Sequence, residues 1–241
     1  MVATSTGTGA PYVVAAADGT DLHGPTELAD RSLAVTAGGR VDVLVTVPPG
    51  GARVDFGGTA ALVLGTDPSP GTVPSQPKEF VDLLGYGRPA DPGLDVDRPD
   101  RVFEYSIGRR LGFLDGRPGR WWTINGHLFP DVPMFMVSEG EVIVMRIDNH
   151  SGASHPMHLH GHHALVVSRD GVASSGSPWW VDSLEVGARE TWEIAFLADN
   201  PGIWMDHCHN LPYAAEGLVD HLMYGSVTSS FRVSDKGNHP E

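Results

Sequence analysis

Two short segments carry most of the side chains able to bind a transition metal. They are His155-Pro156-Met157-His158-Leu159-His160-Gly161-His162-His163 and Trp204-Met205-Asp206-His207-Cys208-His209. Nine of the 12 histidines lie between His150 and His221, and Cys208 is the one cysteine. In an extended strand alternate side chains share a face and stand about 7 Å apart. His158 therefore points with His160, His207 points with His209, and Cys208 points the opposite way. One strand then serves two sites, imidazoles on one side and a thiol on the other. Thiolate with imidazole suits copper or zinc, and two His and a Cys with a weak axial ligand is the donor set of an electron-transfer copper centre. All-imidazole groups suit copper, zinc or non-haem iron. Structural zinc, with its tetrahedral Cys/His sets, explains less, because the two His pairs facing away from the cysteine need a second metal. A Cys/His nucleophile is disfavoured, since histidines on the opposite face cannot activate Cys208.

The elements that position these groups read as strands. The chain has 241 residues, 41% of them hydrophobic. Its 30 Gly and 19 Pro, about a fifth of the residues against roughly 12% in average usage, favour turns over long helices. Residues 32–47 alternate, with Leu33, Val35, Val41, Val43, Val45 and Val47 on one phase and Gly38-Gly39 as the turn. Residues 52–65 continue the pattern, and the first 65 residues supply about four strands. Residues 66–77 are rich in Pro, Ser and Gly and read as linker, and 82–100 is a second irregular stretch. From residue 101 strands are expected at 102–107, 122–129, 134–149, 157–168, 183–197, 202–209 and 217–227, a β-sandwich pattern. In 141–147 apolar residues of both phases imply burial on both faces. The expected organisation is a partial domain over 1–75, a linker over 76–100, a metal-binding domain over 101–236 and a tail over 237–241. A formal charge of -14 repels nucleic acid and anionic membrane surfaces. No apolar run reaches the roughly 18 residues of a membrane span, and residues 1–10 lack the features of a signal peptide.

The two metal-binding segments resemble the copper signatures in the C-terminal domain of multicopper oxidases, the laccase-like family of cupredoxin-fold enzymes. The pattern H-P-x-H-L-H-G-H is matched in full, and H-C-H is followed by Gly217 at the family's spacing. Thr123-Ile124-Asn125-Gly126, and Gly38-Gly39-Arg40-Val41-Asp42-Val43-Leu44 in the manner of a middle-domain strand, extend the likeness. The resemblance implies an all-β, cupredoxin-like Greek-key sandwich preceded by a partial second one. It makes His155 and Cys208 ligands of a type 1 copper, His158 a ligand of type 2 copper, and His160, His207 and His209 ligands of the type 3 pair. It implies copper and O2 as cofactor and acceptor. Electrons from phenolic, aromatic amine or metal-ion donors would enter at type 1 and pass through Cys208 to His207 and His209, and O2 would be reduced to water. It also implies an extracellular or periplasmic location.

Two departures define what this chain can do. The second type 1 histidine of the family falls five residues after the cysteine, at Tyr213, and the axial position is Leu218. A neutral phenol is a poor substitute for imidazole, so a weakened or empty type 1 site is expected. The family's cluster takes eight histidines, and no His-x-His pair precedes residue 155. An N-terminal cupredoxin domain or a second copy of the chain would complete it. The alternative is a copper-binding cupredoxin module without oxidase turnover. His162 and His163 are expected to pack or to hold ligands, Asp206 either to orient His207 or to lie exposed, His221 to be structural and His127 to be on the surface.

Overall fold

A computed structural model describes residues 2–5, 11–29, 31–56, 60–65 and 79–228. The linker expected at 66–77 and the tail at 237–241 fall wholly outside these residues. The chain divides into two compact units, Met1–Ala90 with Ser174–Trp179, and Asp91–Ala173 with Trp180–Glu241.

The first unit contains β1 (Val2–Ser5), β2 (Tyr12–Ala17), β3 (Thr20–Asp21), β4 (Ser32–Val35), β5 (Val41–Val45), β6 (Ala52–Asp55) and β7 (Ala61–Leu64). Among the described residues seven strands stand where about four were expected, because several are only two to four residues long and carry too few residues to show a period. They form two sheets, ordered β4-β1-β6-β7 and β3-β2-β5. The turn at Gly38-Gly39 is present, yet it does not close a hairpin: β4 pairs with β1 and β5 with β2, so it passes the chain from one sheet to the other. Tyr12, Val14, Leu22, Leu33, Leu83 and Tyr86 form the core, with Trp179 packed against it. The Tyr86 hydroxyl donates to Thr26 O and accepts from Val14 N–H. Part of the expected linker is thus ordered core, since Val81 N–H also bonds Ser32 O.

The second unit contains β8 (Arg101–Leu114), β9 (Arg117–Ile124), β10 (Met134–Val137), β11 (Val142–Asn149), β12 (His155–Leu159), β13 (Ala164–Arg169), β14 (Val172–Ala173), β15 (Trp180–Val181), β16 (Ser183–Val186), β17 (Thr191–Leu197), β18 (Ile203–Cys208), α1 (Leu211–Ala215) and β19 (Val219–Tyr224). One sheet runs β10-β19-β18-β12-β16; the other runs β14-β13-β17-β11-β8-β9, with β15 on β13. Three expected strands are broken by turns: 134–149 into β10 and β11, 157–168 into β12 and β13, and 183–197 into β16 and β17. In β11 Ile143, Val144 and Met145 are all buried, the two-faced burial that the mixed phase implied. Asp115-Gly116, at φ 50° and 71°, joins β8 to β9 as a two-residue turn whose twist matches the strands.

Among the described residues three buried side-chain atoms have no hydrogen-bond partner: the Tyr105 hydroxyl, on a residue 1% exposed, Trp122 Nε1 and Asp220 Oδ2. Asp206 stands opposite Asp220 in the β18–β19 register. Burial pushes the Tyr105 phenol well above its ordinary range, and the Asp206 and Asp220 charges add to this. An orphaned buried hydroxyl costs about 1–3 kcal/mol. Tyr105→Phe is therefore expected to stabilise the fold by about 1 kcal/mol, read as a higher urea midpoint at unchanged slope.

Candidate metal centre

Strand parity divides the donors as their spacing implied. Cys208 ends β18 and is fully buried; its Sγ lies 3.8 Å from His155 Nδ1. Asn149 organises the turn that presents His155: its side-chain amide donates to the Ala153, Val186 and Gly187 carbonyls, and its Oδ1 accepts from Ser151 N–H. Ser151 Oγ then holds His155 Nε2 at 2.9 Å, leaving Nδ1 for the cysteine. Neither Asn149 nor Ser151 was singled out from sequence; polar residues just ahead of a His-Pro pair were the available signal.

Past Cys208, Asn210 and Pro212 start the single turn α1, which brings Tyr213 against His155 at 5.4 Å and against Trp122 at 4.7 Å between ring centroids. Trp122 meets His155 edge-on at 4.6 Å, and Arg109 stacks over Trp122 at 4.6 Å. Leu218 is buried; its N–H donates to Tyr213 O and its carbonyl accepts from Cys208 N–H, closing the loop. Burial depresses the His155 imidazole to about 4, with Arg109 adding to it, and lifts the Cys208 thiol to about 12. Both are neutral near pH 7, so a metal ion entering here displaces the thiol proton.

The opposite side gathers four imidazoles. Ring centroids of His158 lie 4.6 Å from His160, 5.8 Å from His207 and 5.0 Å from His209, and His207 lies 5.2 Å from His209. His160 Nε2 and His207 Nε2 stand 3.0 Å apart. His158 and His160 do not share one strand as expected: β12 stops at Leu159 and His160 begins the turn, held by its N–H on Met205 O. Gly161 makes that turn possible, with φ +75° and a Trp204 ring 2.5 Å from where a Cβ would sit. His158 Nδ1 bonds Asp182 O at 2.7 Å and His207 Nδ1 bonds Cys208 O at 3.1 Å. Each ring thereby presents Nε2 as a lone pair, the tautomer a metal needs.

The remaining candidates are placed elsewhere. His162 is buried between His160 O and the Tyr224 hydroxyl, and His163 pairs with Asp182. His127 is exposed. Asp206 neither orients His207 nor reaches solvent: it follows Cys208 to the inner face and is 4% exposed, where burial and then Asp220 raise its pKa well above the carboxylate range.

Donor spacing tests the fit to metal. Two imidazole nitrogens bound at about 2.0 Å to one ion stand about 2.8–3.3 Å apart, and sulfur and nitrogen ligands at about 2.3 and 2.0 Å, opened to a trigonal angle, stand about 3.7 Å apart. The His160–His207 and Cys208–His155 spacings match these. Among the described residues no three His, Cys, Asp or Glu side chains converge on one point, so the donors come as pairs.

The multicopper oxidase family model matches residues 106–226, half of the chain, including both donor faces. The chain belongs to the multicopper oxidase family. The multicopper oxidase MmcO of Mycobacterium tuberculosis is 32% identical over 103 residues, covering 43% of this chain and 20% of MmcO. Among solved structures, Fet3p, a multicopper oxidase that functions in iron import, superposes with a TM-score of 0.70 at 19% identity, over 93% of this chain and 54% of that one. McoA from Aquifex aeolicus gives 0.63 at 20% identity, over 92% and 52%. These likenesses establish the cupredoxin-like fold. The chain spans about half the length of such multicopper oxidases.

Proposed function

We propose that this chain forms the C-terminal part of a laccase-like oxidase that couples one-electron oxidation of phenolic, aromatic amine or metal-ion donors to reduction of O2 to water. The observation that carries the reading is the division of donors about one strand. His155 and Cys208 face one way, and His158, His160, His207 and His209 face the other. When bound, copper supplies one-electron redox chemistry and a place for O2. The protein's part is to fix donor atoms: Asp182 O and Cys208 O orient His158 and His207, and Ser151 orients His155. Cys208 is covalently continuous with His207 and His209 and gives the shortest bonded link between the two faces. The four imidazoles fit half of the eight that the family's cluster requires, His158 serving type 2 and His160, His207 and His209 serving type 3. The rest come from a cupredoxin domain with His-x-His strands, or from a second copy of this chain. The type 1 site fits less well, with His155 and Cys208 as its donors and Tyr213 and Leu218 in the remaining positions.

The lack of a third type 1 donor favours a second reading, a copper-binding cupredoxin module without turnover. Copper per chain, its paramagnetic resonance spectrum, and oxygen uptake with a simple phenol separate the two. Uptake that scales with bound copper is the result expected of the oxidase, and stoichiometric copper with no uptake supports the module. Copper-dependent dimers in sedimentation would assign the missing imidazoles to a second copy.

A further inference from the structure

The inward phase of β8 outruns the core to which it belongs. Tyr105 and Ile107 are 1% and 0% exposed, whereas Leu111 and Phe113, further along the same face, are 81% and 68% exposed. Across β9, Arg120 stands opposite Leu111 and Pro118 opposite Phe113, and both are exposed. Directly opposed residues share a face, so the end of the hairpin presents an apolar surface with a cation beside it. Its other face is closed. Leu114 packs with Phe129 and Val219, and a Cβ on Gly112 would lie 2.2 Å from Leu128 Cδ1. The hairpin end is thus held firmly on one side and bare on the other.

The charge here is the reverse of the molecule's. Residues 109–120 hold four of the chain's 16 cationic residues, against Asp115 as the one acid. Arg109 stacks over Trp122 and stands 3.5 Å from Glu216. Arg110, Arg117 and Arg120 are exposed and form no ion pair among the described residues. By contrast Arg101, at the start of β8, and Arg146, on the adjacent β11, pair with Glu141 and Glu193. An unpaired guanidinium suits phosphate oxygens, which it binds in a fork.

Cations around two large bare side chains fit a surface that is anionic outside and apolar beneath. A protein interface takes about 20–30 residues on each side, far more than this hairpin end offers. A bilayer has no fixed shape to match: Leu and Phe enter the acyl boundary while Arg stays at the headgroups. The formal charge of -14 belongs to the molecule as a whole. At 0.1 M salt, carboxylates more than about 10 Å from a surface are largely screened from it, and the hairpin meets the surface with its own cations.

We propose that the end of the β8–β9 hairpin, through Leu111, Phe113, Arg110, Arg117 and Arg120, docks on an anionic lipid bilayer. The proposal does not depend on the oxidase reading. Vesicles of equal parts phosphatidylglycerol and phosphatidylcholine are the probe, with phosphatidylcholine alone as the neutral control. At 0.1 M NaCl the full chain is expected to sediment with the anionic vesicles and to bind the neutral ones about tenfold or more weakly. Release is expected at 1 M NaCl, where the Debye length falls to about 3 Å. Leu111→Ser with Phe113→Ser, and separately Arg117→Gln with Arg120→Gln, are each expected to lower the partition coefficient about tenfold or more. All four side chains are exposed, so urea midpoints are expected to stay in place. No binding of the native chain to the anionic vesicles, or equal binding to the neutral ones, overturns the proposal. So does a partition coefficient that either folded double variant leaves unchanged. Self-association of the native chain without lipid, abolished by Leu111→Ser with Phe113→Ser, assigns the surface to a second copy and also overturns it. Should a variant fail to fold, native binding and its release by salt decide.

Discussion

Tyr213→His is expected to give copper-loaded protein an intense blue charge-transfer band that the native chain lacks. Blue copper centres join a thiolate and two imidazoles in a trigonal set, and in the proposed type 1 site His155, 3.8 Å from Cys208 Sγ, would supply one of the two. Position 213 is held beside the proposed site: α1 places Tyr213 against His155, and the Leu218 N–H bond to the Tyr213 carbonyl fixes the turn. Imidazole is smaller than phenol, so it enters this space without displacing Trp122. A third strong ligand is expected to raise copper affinity at the site by about tenfold or more. Optical titration with copper checks the band, and metal analysis after dialysis checks the affinity. A blue band of equal intensity in the native protein would contradict the assignment of Tyr213 as a failed ligand.

Asp220→Asn is expected to remove a pH dependence of stability and to stabilise the fold at neutral and alkaline pH. Burial raises the Asp220 carboxyl from 3.8 to about 7, while its Oδ1 accepts the His221 N–H. The folded state therefore keeps this proton up to about pH 7, and the unfolded state gives it up near pH 4. Between these values the unfolded chain binds fewer protons, so stability falls as pH rises, by about 1.4 kcal/mol per pH unit for one group. The full effect, about 4 kcal/mol, is present below pH 4 as stability and is gone above pH 7. Asn keeps the acceptor for His221 N–H and carries no charge. Urea midpoints from pH 4 to 8 should fall steeply in the native protein and by one proton less in the variant. Asp206 shifts in the same direction and accounts for a slope that remains.

The chemistry of this chain was more legible in its sequence than its boundaries were. The two-residue period of a strand suffices to separate Cys208 from His207 and His209, because face alternation is local and tolerates no slip. It does not locate strand ends. His160 leaves β12 because Gly161 takes a left-handed conformation beneath Trp204, a tertiary contact that no local pattern carries. The helical turn α1 is five residues long, less than two helical turns, so it had no period to read. Asp18-Gly19, Asp115-Gly116 and Asp170-Gly171 were readable hairpin signals; all six residues have positive φ, and using them would have set the ends of β2, β8 and β13. The buried Asp206 and Asp220 run against every compositional expectation, since charged residues are placed outside unless paired.

The six residues Ser174–Trp179 that belong to the first unit set the order in which the chain can finish folding. Ser175 and Gly176 N–H bond Leu84 O, Ser177 N–H bonds Tyr86 O, and Ser177 Oγ accepts His23 N–H. Gly176 sits where an added Cβ would lie 2.2 Å from Tyr86 O, so this segment can be seated only by a residue without a side chain. A ribosome reading from the amino terminus has made β8 to β14 before these residues emerge. The first unit, though encoded first, closes its core only after most of the second has been synthesised.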